Sequence, residues 1–303
     1  MGCQDVYPAL LQKAFKMKVI DIHTHGIGGY DTKSGKEKDI LKIAEIFGSQ
    51  GVSEIIPTIY PSSIKVMREN MMAVKKAMER QNSAFRTPHS AIILGVHLEG
   101  PFLNPSKCGA LNARTFIEAT EYNFRKLIEG FEDIVKIITV APEIKGAIKL
   151  IKKISDMGII VSMGHSDATF SKSEAGFNAG ARGITHIFNA MRGFHHRDPG
   201  IAGFGLINKD IYIEVIADSF HLYPKTLELI FRIKSLDKII IVSDSVKGTK
   251  VKGRVKAVTD THGKLLGGSM TIIESSRRLI QMGFDEDMIM RCITKNPQRY
   301  LSM

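Results

Sequence analysis

Residues 19–29 of the chain read VIDIHTHGIGG, an apolar run that ends in two histidines and passes directly into glycines. Three interpretations are open for this stretch: a pair of metal ligands, a glycine loop that binds phosphate, or the ordinary end of a strand. Because alternate side chains of a strand face the same way, His23 and His25 should point in one direction from its end. The rest of the sequence has to decide between these interpretations.

Seven more short apolar runs follow, and segments with helical periodicity lie between them. The runs are SEIIPTIYP, AIILGVHLEG, KIITVAPE, IIVSMGHSD, GITHIFNAM, IYIEVIADSF and KIIIVSDSV. Their nearly continuous Val and Ile content is typical of parallel strands that are covered on both faces. In segments 62–80, 145–157 and 224–233, apolar residues recur at the spacing of amphipathic helices. Eight strands alternating with helices favour the α/β class and a (β/α)8 TIM barrel over a doubly wound open sheet.

Length and composition predict one domain, residues 1–303, built on this barrel. A chain of 303 residues that is 44% apolar can bury one large core or two smaller ones, and we expect one. Residues 1–17 would form an N-terminal extension. Residues from about 247 to 271 should form a hairpin insertion after the eighth strand, because the sequence Asp260-Thr261-His262-Gly263 is typical of a turn between two extended arms.

Composition argues against several classes of partner. No apolar run approaches the roughly 18 residues that span a bilayer, and the N-terminus lacks the apolar core of a signal peptide. We therefore expect a cytoplasmic protein with no membrane partner. The net charge of +11 is spread without a basic block, which predicts no nucleic-acid partner and is compatible with a small anionic substrate. Three distant cysteines predict neither a disulfide framework nor a cysteine-based zinc site.

Residue types that bind metal ions stand at the ends of five predicted strands. In the third strand His97 and Glu99 share one side, and the other four strands contribute His23 with His25, His165, His186 and Asp244. The carboxyl ends of parallel barrel strands form one rim, so these side chains should converge. Imidazole and carboxylate are the usual ligands of zinc and similar ions. Each residue alone is more often a core histidine or a helix N-cap, but the set together predicts a metal site.

The glycine-loop interpretation of the first strand is weaker. GIGG lacks the full GxGxxG spacing, and no acidic residue follows at a second strand end about 20 residues on. A Walker loop also fails around Gly35-Lys36, because Tyr30 stands where the first glycine should be and Glu37 replaces Ser or Thr. We interpret the glycines as a tight turn that leads the chain away from the strand.

Longer stretches of the sequence resemble the amidohydrolase superfamily and, within it, the N-acetylglucosamine-6-phosphate deacetylases. Between about Val19 and Pro297 the matching stretches, in the family's order, are IDIHTHGIGGYDT, GVHLEGPFLNPSKCGALN, VAPE, GHSDAT, THIFNAMRGFHHRDPGIAG, ADSFHL, VSDS and LLGGSMT. HLEGPFLN and THxxNAM are specific to this deacetylase group, whereas HxH belongs to the wider superfamily. The resemblance implies hydrolysis of N-acetylglucosamine 6-phosphate to glucosamine 6-phosphate and acetate.

The resemblance also implies a divalent metal cofactor, as one or two ions, with zinc foremost and iron, manganese or cobalt as alternatives. The implied ligands are Glu99, His165 and His186 for the main ion, and His23 with His25 for a second ion. Asp244 would be the catalytic base. It would accept a proton as hydroxide attacks the acetyl carbon and would then protonate the leaving amine.

The remaining implied residues bind the substrate, a small amino-sugar phosphate. They are Asn189, Ala190, Arg197, His221, Gly109, Ala110 and Met270. Arg197 matches a phosphate-binding arginine that the neighbouring subunit can donate in this family. The resemblance therefore also implies a homodimer.

Two departures from the family pattern bear on the function. Family enzymes carry a small β-sandwich domain built from segments on both sides of the barrel, but here only residues 1–18 precede the first run and the chain stops at NPQRYLSM. We therefore expect the sandwich to be missing. The family also reads G-A-H shortly after LEGP, whereas this chain has Leu111 in place of that histidine. One oxyanion or substrate contact should therefore be lost.

These departures keep two alternatives open. One is another amidohydrolase, acting on an N-acyl amino acid or a cyclic amide, and the other is a non-catalytic relative that binds sugar phosphates. Cyclic-amide members often use a carboxylated lysine on the fourth strand, and here that strand ends with Glu143 and no lysine. The intact Asp244 and the full set of metal ligands count against a non-catalytic protein.

Overall fold

The computed structural model describes residue 12 and residues 14–82, 89–251, 253 and 255–303. Most of the predicted N-terminal extension, residues 1–17, lies outside the described residues. Eight parallel strands pair with one another in chain order. They are β1 (Ile20–Thr24), β2 (Glu54–Ile59), β3 (Val96–Leu98), β4 (Val135–Val140), β5 (Ile160–Met163), β6 (Gly183–Ile184), β7 (Tyr212–Ile216) and β8 (Ile239–Val242).

Hydrogen bonds just beyond β8 close this sheet into a barrel. The Asp244 amide donates to the His23 carbonyl over 2.9 Å, and the His25 amide donates to the Ser245 carbonyl over 2.8 Å. Thr24 and Ser245 also form a parallel bridge. The carboxyl ends of all eight strands therefore open at one mouth, which is where such barrels carry their functional side chains.

A helix follows each barrel strand, which confirms the predicted (β/α)8 TIM barrel. These helices are α1 (Glu37–Ser49), α2 (Ile64–Gln81), α3 (Glu121–Ile128), α4 (Ala147–Asp156), α5 (Phe170–Asn178), α6 (Gly200–Ile207), α7 (Pro224–Ile233) and α8 (Ile272–Gln281). Two further helices, α9 (Glu286–Ile293) and α10 (Lys295–Leu301), complete the chain. None of the helices in the described part of the chain combines the length and apolar character of a membrane span.

Helix α2 illustrates how these helices cover the barrel. Met67, Met71 and Val74 are fully buried, at spacings of four and three residues, so one stripe of the helix faces the strands. The Ser63 side chain accepts a hydrogen bond from the Val66 amide and caps the N-terminus. The methionines of this helix therefore belong to the core.

Alternation along the strands divides the core into an outer and an inner layer. In β7, Ile213 and Val215 pack with helix residues in the larger apolar cluster. Tyr212 and Ile216 belong to a smaller cluster made almost entirely of strand residues, together with Tyr300 of α10. Because neighbouring strand residues point to opposite faces, the smaller cluster fills the inside of the barrel.

A layer of hydrogen-bonded polar side chains also lies inside the barrel. His97 Nε2 is 2.9 Å from Thr139 Oγ1, which is 2.9 Å from Thr185 Oγ1. The Thr185 hydroxyl in turn donates to Ser162 Oγ over 2.7 Å. These contacts satisfy buried polar groups and form the floor beneath the mouth.

A short hairpin follows β8 and returns to the mouth. Val258–Thr259 pairs antiparallel with Leu265–Gly267, within the segment predicted to be an insertion. The returning arm then passes very close to the end of β8, because a Cβ on Gly268 would lie 1.8 Å from the Ser243 carbonyl oxygen. The hairpin is therefore packed directly against the backbone beside Asp244.

Candidate active site

Six buried side chains meet at the mouth, where β1, β3, β5, β6 and β8 end. They are His23, His25, Glu99, His165, His186 and Asp244. These residues form two groups in which one ligand atom of each member lies within 4.8 Å of the others. The first group is Glu99 with His165 and His186, and the second is Asp244 with His23 and His25. The structure thus brings together the predicted ligands and the predicted base. His97, which the sequence also placed in this set, contacts the His23 ring but uses both of its own nitrogens for bonds to Ile22 and Thr139.

The Glu99 carboxylate lies between the two groups. Its Oε1 is 3.0 Å from Nε2 of both His165 and His186, and its Oε2 is 3.1 Å from His25 Nε2. Burial alone would raise the pKa of Glu99, but the charge of His165 and the hydrogen bonds of these histidines lower it well below its ordinary value. Glu99 is therefore held as a carboxylate that several imidazoles share.

Asp244 occupies the opposite side of the second group. Its Oδ1 is 3.4 Å from His23 Nε2 and 3.6 Å from His25 Nε2. Burial, followed by the charge of Glu99, raises the pKa of Asp244 well above its ordinary value. Two carboxyl groups of one site therefore differ in their affinity for a proton, which is the arrangement that acid–base chemistry requires.

Hydrogen bonds behind three of the imidazoles fix the nitrogen that faces the mouth. His25 and His165 each place Nδ1 against a backbone carbonyl oxygen, at 3.1 and 3.0 Å. His23 places Nδ1 2.9 Å from a carboxylate oxygen of Glu214. Because Nδ1 of each ring is engaged from behind, Nε2 is the nitrogen that each ring presents to the mouth.

The unpartnered atoms of the mouth fit a divalent metal ion. His23 Nε2 is buried and has no hydrogen-bond partner among the described residues. It faces Asp244 and also lies 3.6 Å from Glu99 Oε1. Burial lowers the pKa of His23 well below its ordinary value, so the imidazole is neutral. A cation satisfies an imidazole lone pair and two carboxyl groups together, and these are ligands that zinc accepts.

Three of the six residues hold a backbone conformation that side chains rarely adopt. His165, His186 and Asp244 have φ angles of +46°, +30° and +45°, and each lies within two residues of the end of its strand. Phe188 and Ala190, in the loop after β6, share this left-handed conformation. It costs on the order of 1–3 kcal/mol for each residue, and such strain concentrates at functional sites.

A cavity of about 220 Å³ opens over five of the six side chains, all except His23. Its lining comprises His25, Tyr60, Glu99, Gly109, Ala110, Leu111, His165, His186, Asn189, Ala190, His221, Asp244 and residues 264–267. Of the predicted substrate contacts, the lining contains Gly109, Ala110, Asn189, Ala190 and His221. Arg197 is exposed and Met270 is buried, and neither residue lines this cavity. Leu111 does line it, so the departure from the family pattern falls on the substrate side.

The loops of the cavity are tied to one another by short contacts. His221 Nδ1 lies 2.9 Å from Asp218 Oδ2, and the same oxygen accepts a hydrogen bond from the Ser269 amide over 3.0 Å. This contact orients the His221 ring and joins the loop after β7 to the returning hairpin. Gly109 has a φ of +56°, and a Cβ there would lie 3.0 Å from the Ala190 methyl group. Glycine therefore allows the loop after β3 to close over the mouth.

Sequence reasoning missed three residues that the structure places at or beneath the site. The Tyr60 ring stacks on His25 with 3.8 Å between ring centroids. Lys264 lines the cavity and has no ion-pair partner among the described residues. Glu214 lies under the mouth, and its signal was present, because it is a charged residue within the apolar run IYIEVI. Tyr60 directly follows β2, a position that gave no chemical signal of its own.

Comparisons with known proteins identify the family to which this chain belongs. The family model described as the amidohydrolase family matches residues 18–303. An N-acetylglucosamine-6-phosphate deacetylase from Bacillus subtilis (strain 168) is 31% identical over 276 residues, which cover 86% of this chain and 68% of the relative. An N-acetylgalactosamine-6-phosphate deacetylase from Escherichia coli O157:H7 is 27% identical over 275 residues, which cover 87% of this chain and 71% of the relative.

A solved structure of a deacetylase has the same fold as this chain. The N-acetylglucosamine-6-phosphate deacetylase of Thermotoga maritima superimposes with a TM-score of 0.82 at 26% identity. The match covers 94% of this chain and 78% of that chain. Since the family match extends over nearly all of the barrel and its mouth, the chain belongs to the amidohydrolase family.

Proposed function

We propose that the chain hydrolyses the acetamido group of N-acetylglucosamine 6-phosphate, giving glucosamine 6-phosphate and acetate. The observation that carries the proposal is the buried mouth, where Glu99 and Asp244 face a cavity among convergent imidazoles. The predicted substrate contacts Asn189, Ala190 and His221 line that same cavity. The relatives from Bacillus subtilis and Thermotoga maritima are named for this activity.

The cofactor of this reaction would be a divalent metal ion, and zinc is the ion we propose. Glu99, His165 and His186 would hold the main ion, and His23 with His25 would hold a second. Such an ion, when bound, lowers the pKa of water toward neutrality and polarises the amide carbonyl. Imidazole and carboxylate ligands also accept iron, manganese or cobalt, so elemental analysis of the purified protein is needed to identify the metal.

Asp244 would carry the proton between the two halves of the reaction. Its carboxylate takes a proton from the attacking water as the new C–O bond forms at the acetyl carbon. It then returns the proton to the nitrogen as the C–N bond breaks, because an amine leaves poorly without one. Asp244 lines the cavity, and the rise of its pKa through burial and Glu99 favours holding the proton between these steps.

The sugar phosphate would be held by loops on the other side of the cavity. His221, oriented by Asp218, offers Nε2 to the sugar, and Asn189 lies at the cavity wall. Arg197 is exposed and outside the cavity of its own chain, which is compatible with its donation to a partner in a homodimer. The dimer, the cytoplasmic location and the lack of nucleic-acid and membrane partners stay predictions.

Acetate release from N-acetylglucosamine 6-phosphate by the zinc-loaded chain tests the proposal. N-acetylgalactosamine 6-phosphate belongs in the same assay, because the Escherichia coli relative is named for it. We expect turnover of the glucosamine derivative and little turnover of the sugar without phosphate. Release of acetate only from N-acyl amino acids, or opening of cyclic amides, would reassign the chain within its family. Binding of the sugar phosphate without any release would make it a non-catalytic protein.

A further inference from the structure

Glu214 is a buried carboxyl group that the proposed reaction leaves without a role. It lies in the middle of β7 between Tyr212 and Ile216, on the inner face of the barrel, and is 2% exposed. Burial raises the pKa of this carboxyl, with smaller opposing effects from His97 and His186. A carboxyl group in the centre of an apolar strand is costly unless its contacts compensate for the lost hydration.

One oxygen of Glu214 contacts two of the candidate metal ligands, His23 and His186, at the same time. Oε2 lies 2.9 Å from His23 Nδ1 and accepts a hydrogen bond from the His186 amide over 3.3 Å. His23 lies in β1 and His186 lies two residues beyond β6, and the two residues belong to different groups at the mouth. Glu214 therefore supports the ring of one candidate ligand and the backbone of another from below.

Glu214 differs from the supports of the neighbouring imidazoles because it is a carboxyl group and not a backbone carbonyl. His25 and His165 donate Nδ1–H to neutral backbone carbonyls. His23 faces a carboxyl group instead, and a carboxylate behind an imidazole fixes its tautomer and increases the basicity of the far nitrogen. That far nitrogen is the buried Nε2 without a hydrogen-bond partner, 3.4 Å from Asp244 Oδ1.

A separate metal site beneath the mouth is the competing explanation for the cluster. Ligand atoms of His23, His97 and Glu214 do lie within 4.8 Å of one another. However, His97 uses both of its nitrogens, Nδ1 with the Ile22 carbonyl at 3.2 Å and Nε2 with the Thr139 hydroxyl at 2.9 Å. Because both nitrogens of His97 are already engaged, His97 has no free lone pair for a metal ion, and this cluster is not a separate metal site. Glu214 instead supports the residues of the mouth above it.

We propose that Glu214 is the positioning residue that holds His23 with its proton on Nδ1 and so completes a second cation position between His23, His25 and Asp244. The assignment rests on the proposed metal-dependent function. Glu214 lies beneath the cation position and acts on it through the His23 ring, while its hydrogen bond with the His186 amide, which a glutamine oxygen can also accept, supports the backbone of the first group. The cation that this position takes is a divalent ion of the zinc type, because its ligands are two imidazoles and a carboxylate.

The test counts ions and measures their affinities in the wild-type chain and in Glu214→Gln. Gln has the same shape, but its amide can donate to Nδ1 and permit the opposite tautomer. We expect the weaker of two zinc affinities to fall about 10–100-fold in the variant, while the site of Glu99, His165 and His186 keeps its affinity. Substituting cobalt gives a second readout, since the absorption of the second ion should be lost while that of the first persists.

Asp21→Asn is the matched control, because it also removes a buried carboxyl group beside His23. The Asp21 carboxyl accepts hydrogen bonds from the backbone amides of His23 and Ser243 at 3.3 Å each, and it also bonds to the Ser243 side chain. This control should change thermal stability and leave both zinc affinities in place. Equal losses of affinity in the two variants, or two unchanged ions in Glu214→Gln, would overturn the assignment. A wild-type chain that is fully active with a single ion would also overturn it, yet would leave the proposed function standing.

Discussion

Asp244 combines three properties that are rarely found in one residue. Its φ is +45°, its carboxyl pKa is raised by burial and by Glu99, and it still lines the cavity. Asparagine tolerates the left-handed conformation about as well as aspartate, so an Asn in this position keeps the backbone while removing the proton carrier. The consequence of the substitution should therefore be chemical and not structural.

Asp244→Asn should lower kcat by about 10²–10⁴-fold, the usual contribution of a general acid–base group. The melting temperature should change little, and the ion held by Glu99, His165 and His186 should remain, whereas the second cation position loses its carboxylate ligand. Acetate release under saturating substrate measures the effect. Asp260→Asn, an exposed-loop change in the same connection after β8, is the control and should keep wild-type turnover. A kcat within a factor of two of wild type would remove Asp244 from its role.

The sequence alone could identify the six residues of the mouth but not the strain that holds some of them. Strand-end position and residue type were enough to predict convergence in a parallel barrel. The left-handed φ angles of His165 and His186 could not be predicted, because they depend on how loops from distant parts of the chain pack. The role of Glu214 could not be predicted, because it depends on the contact with His23. That contact becomes visible only when the positions of β7 and β1 in the barrel are known.

The hairpin after β8 acts as an element that fixes the catalytic carboxyl in place. The Gly268 amide donates to the Asp244 carbonyl over 2.7 Å, and a Cβ on Gly268 would overlap the Ser243 carbonyl oxygen. The backbone of this arm can approach β8 only without a side chain. A displaced arm would move Asp244, and small misplacements of catalytic groups have large effects on rate.

Gly268→Ala should therefore lower kcat, by about 10²-fold if the displacement approaches 1 Å. Thermal stability should fall as well, because the overlap is with backbone that cannot rotate away. Gly193→Ala is the control, since nothing lies within 4 Å of a Cβ at that position and its φ is not left-handed. Steady-state kinetics of the two variants make the comparison, and equal kcat values would show that the arm does not position Asp244.

The buried Lys234, directly after α7, caps the C-terminal end of a neighbouring helix. Its ammonium donates to the Gly205 and Asn208 carbonyls at 2.8 and 2.5 Å, so it satisfies the C-terminal end of α6. Lys234→Met should lower the free energy of unfolding by about 1–3 kcal/mol, because buried carbonyls lose their donor. Urea denaturation measures this loss, and kcat at low denaturant should stay at the wild-type value. An unchanged denaturation midpoint would contradict the capping role.

At the scale of the whole molecule, the repeat of strand and helix was enough to predict the barrel. The nearly continuous apolar runs excluded half-exposed strands, and their regular alternation with helices left few other arrangements. The hydrogen bonds that close the barrel could not be predicted, because the bond between the Asp244 amide and the His23 carbonyl joins residues that are far apart in the sequence. Closure is a property of the completed fold, and it is also what assembles the mouth.

Because ligands from five strands meet at the mouth, a bound metal ion should stabilise the entire barrel. An ion present at 100 times its dissociation constant adds about 2.7 kcal/mol to the free energy of unfolding. For a chain of this length that gain corresponds to a melting temperature about 4 °C higher. Calorimetry before and after removal of metal by a chelator measures it. Glu99→Gln should show a much smaller difference, and an identical shift in that variant would place the stabilising ion elsewhere.

Arg197 is exposed and lies outside the cavity of its own chain, so its proposed contact with the substrate phosphate can be tested by kinetics. Arg197→Ala should raise KM for the phosphorylated sugar by about 10–100-fold, the worth of a charged hydrogen bond, with a smaller effect on the sugar without phosphate. Lys209→Ala, an exposed cation elsewhere on the surface, is the control for general charge effects. Equal changes for both sugars would show that Arg197 does not bind phosphate.

Mixing two impaired variants distinguishes an arginine that acts within its own chain from one that is donated. In a mixed dimer of Arg197→Ala and Asp244→Asn, one cavity keeps its own Asp244 and receives Arg197 from the partner subunit. Activity at low substrate should therefore rise on mixing above that of either parent. If Arg197 served its own cavity, every cavity in the mixture would still lack one of the two groups, and no recovery would be seen.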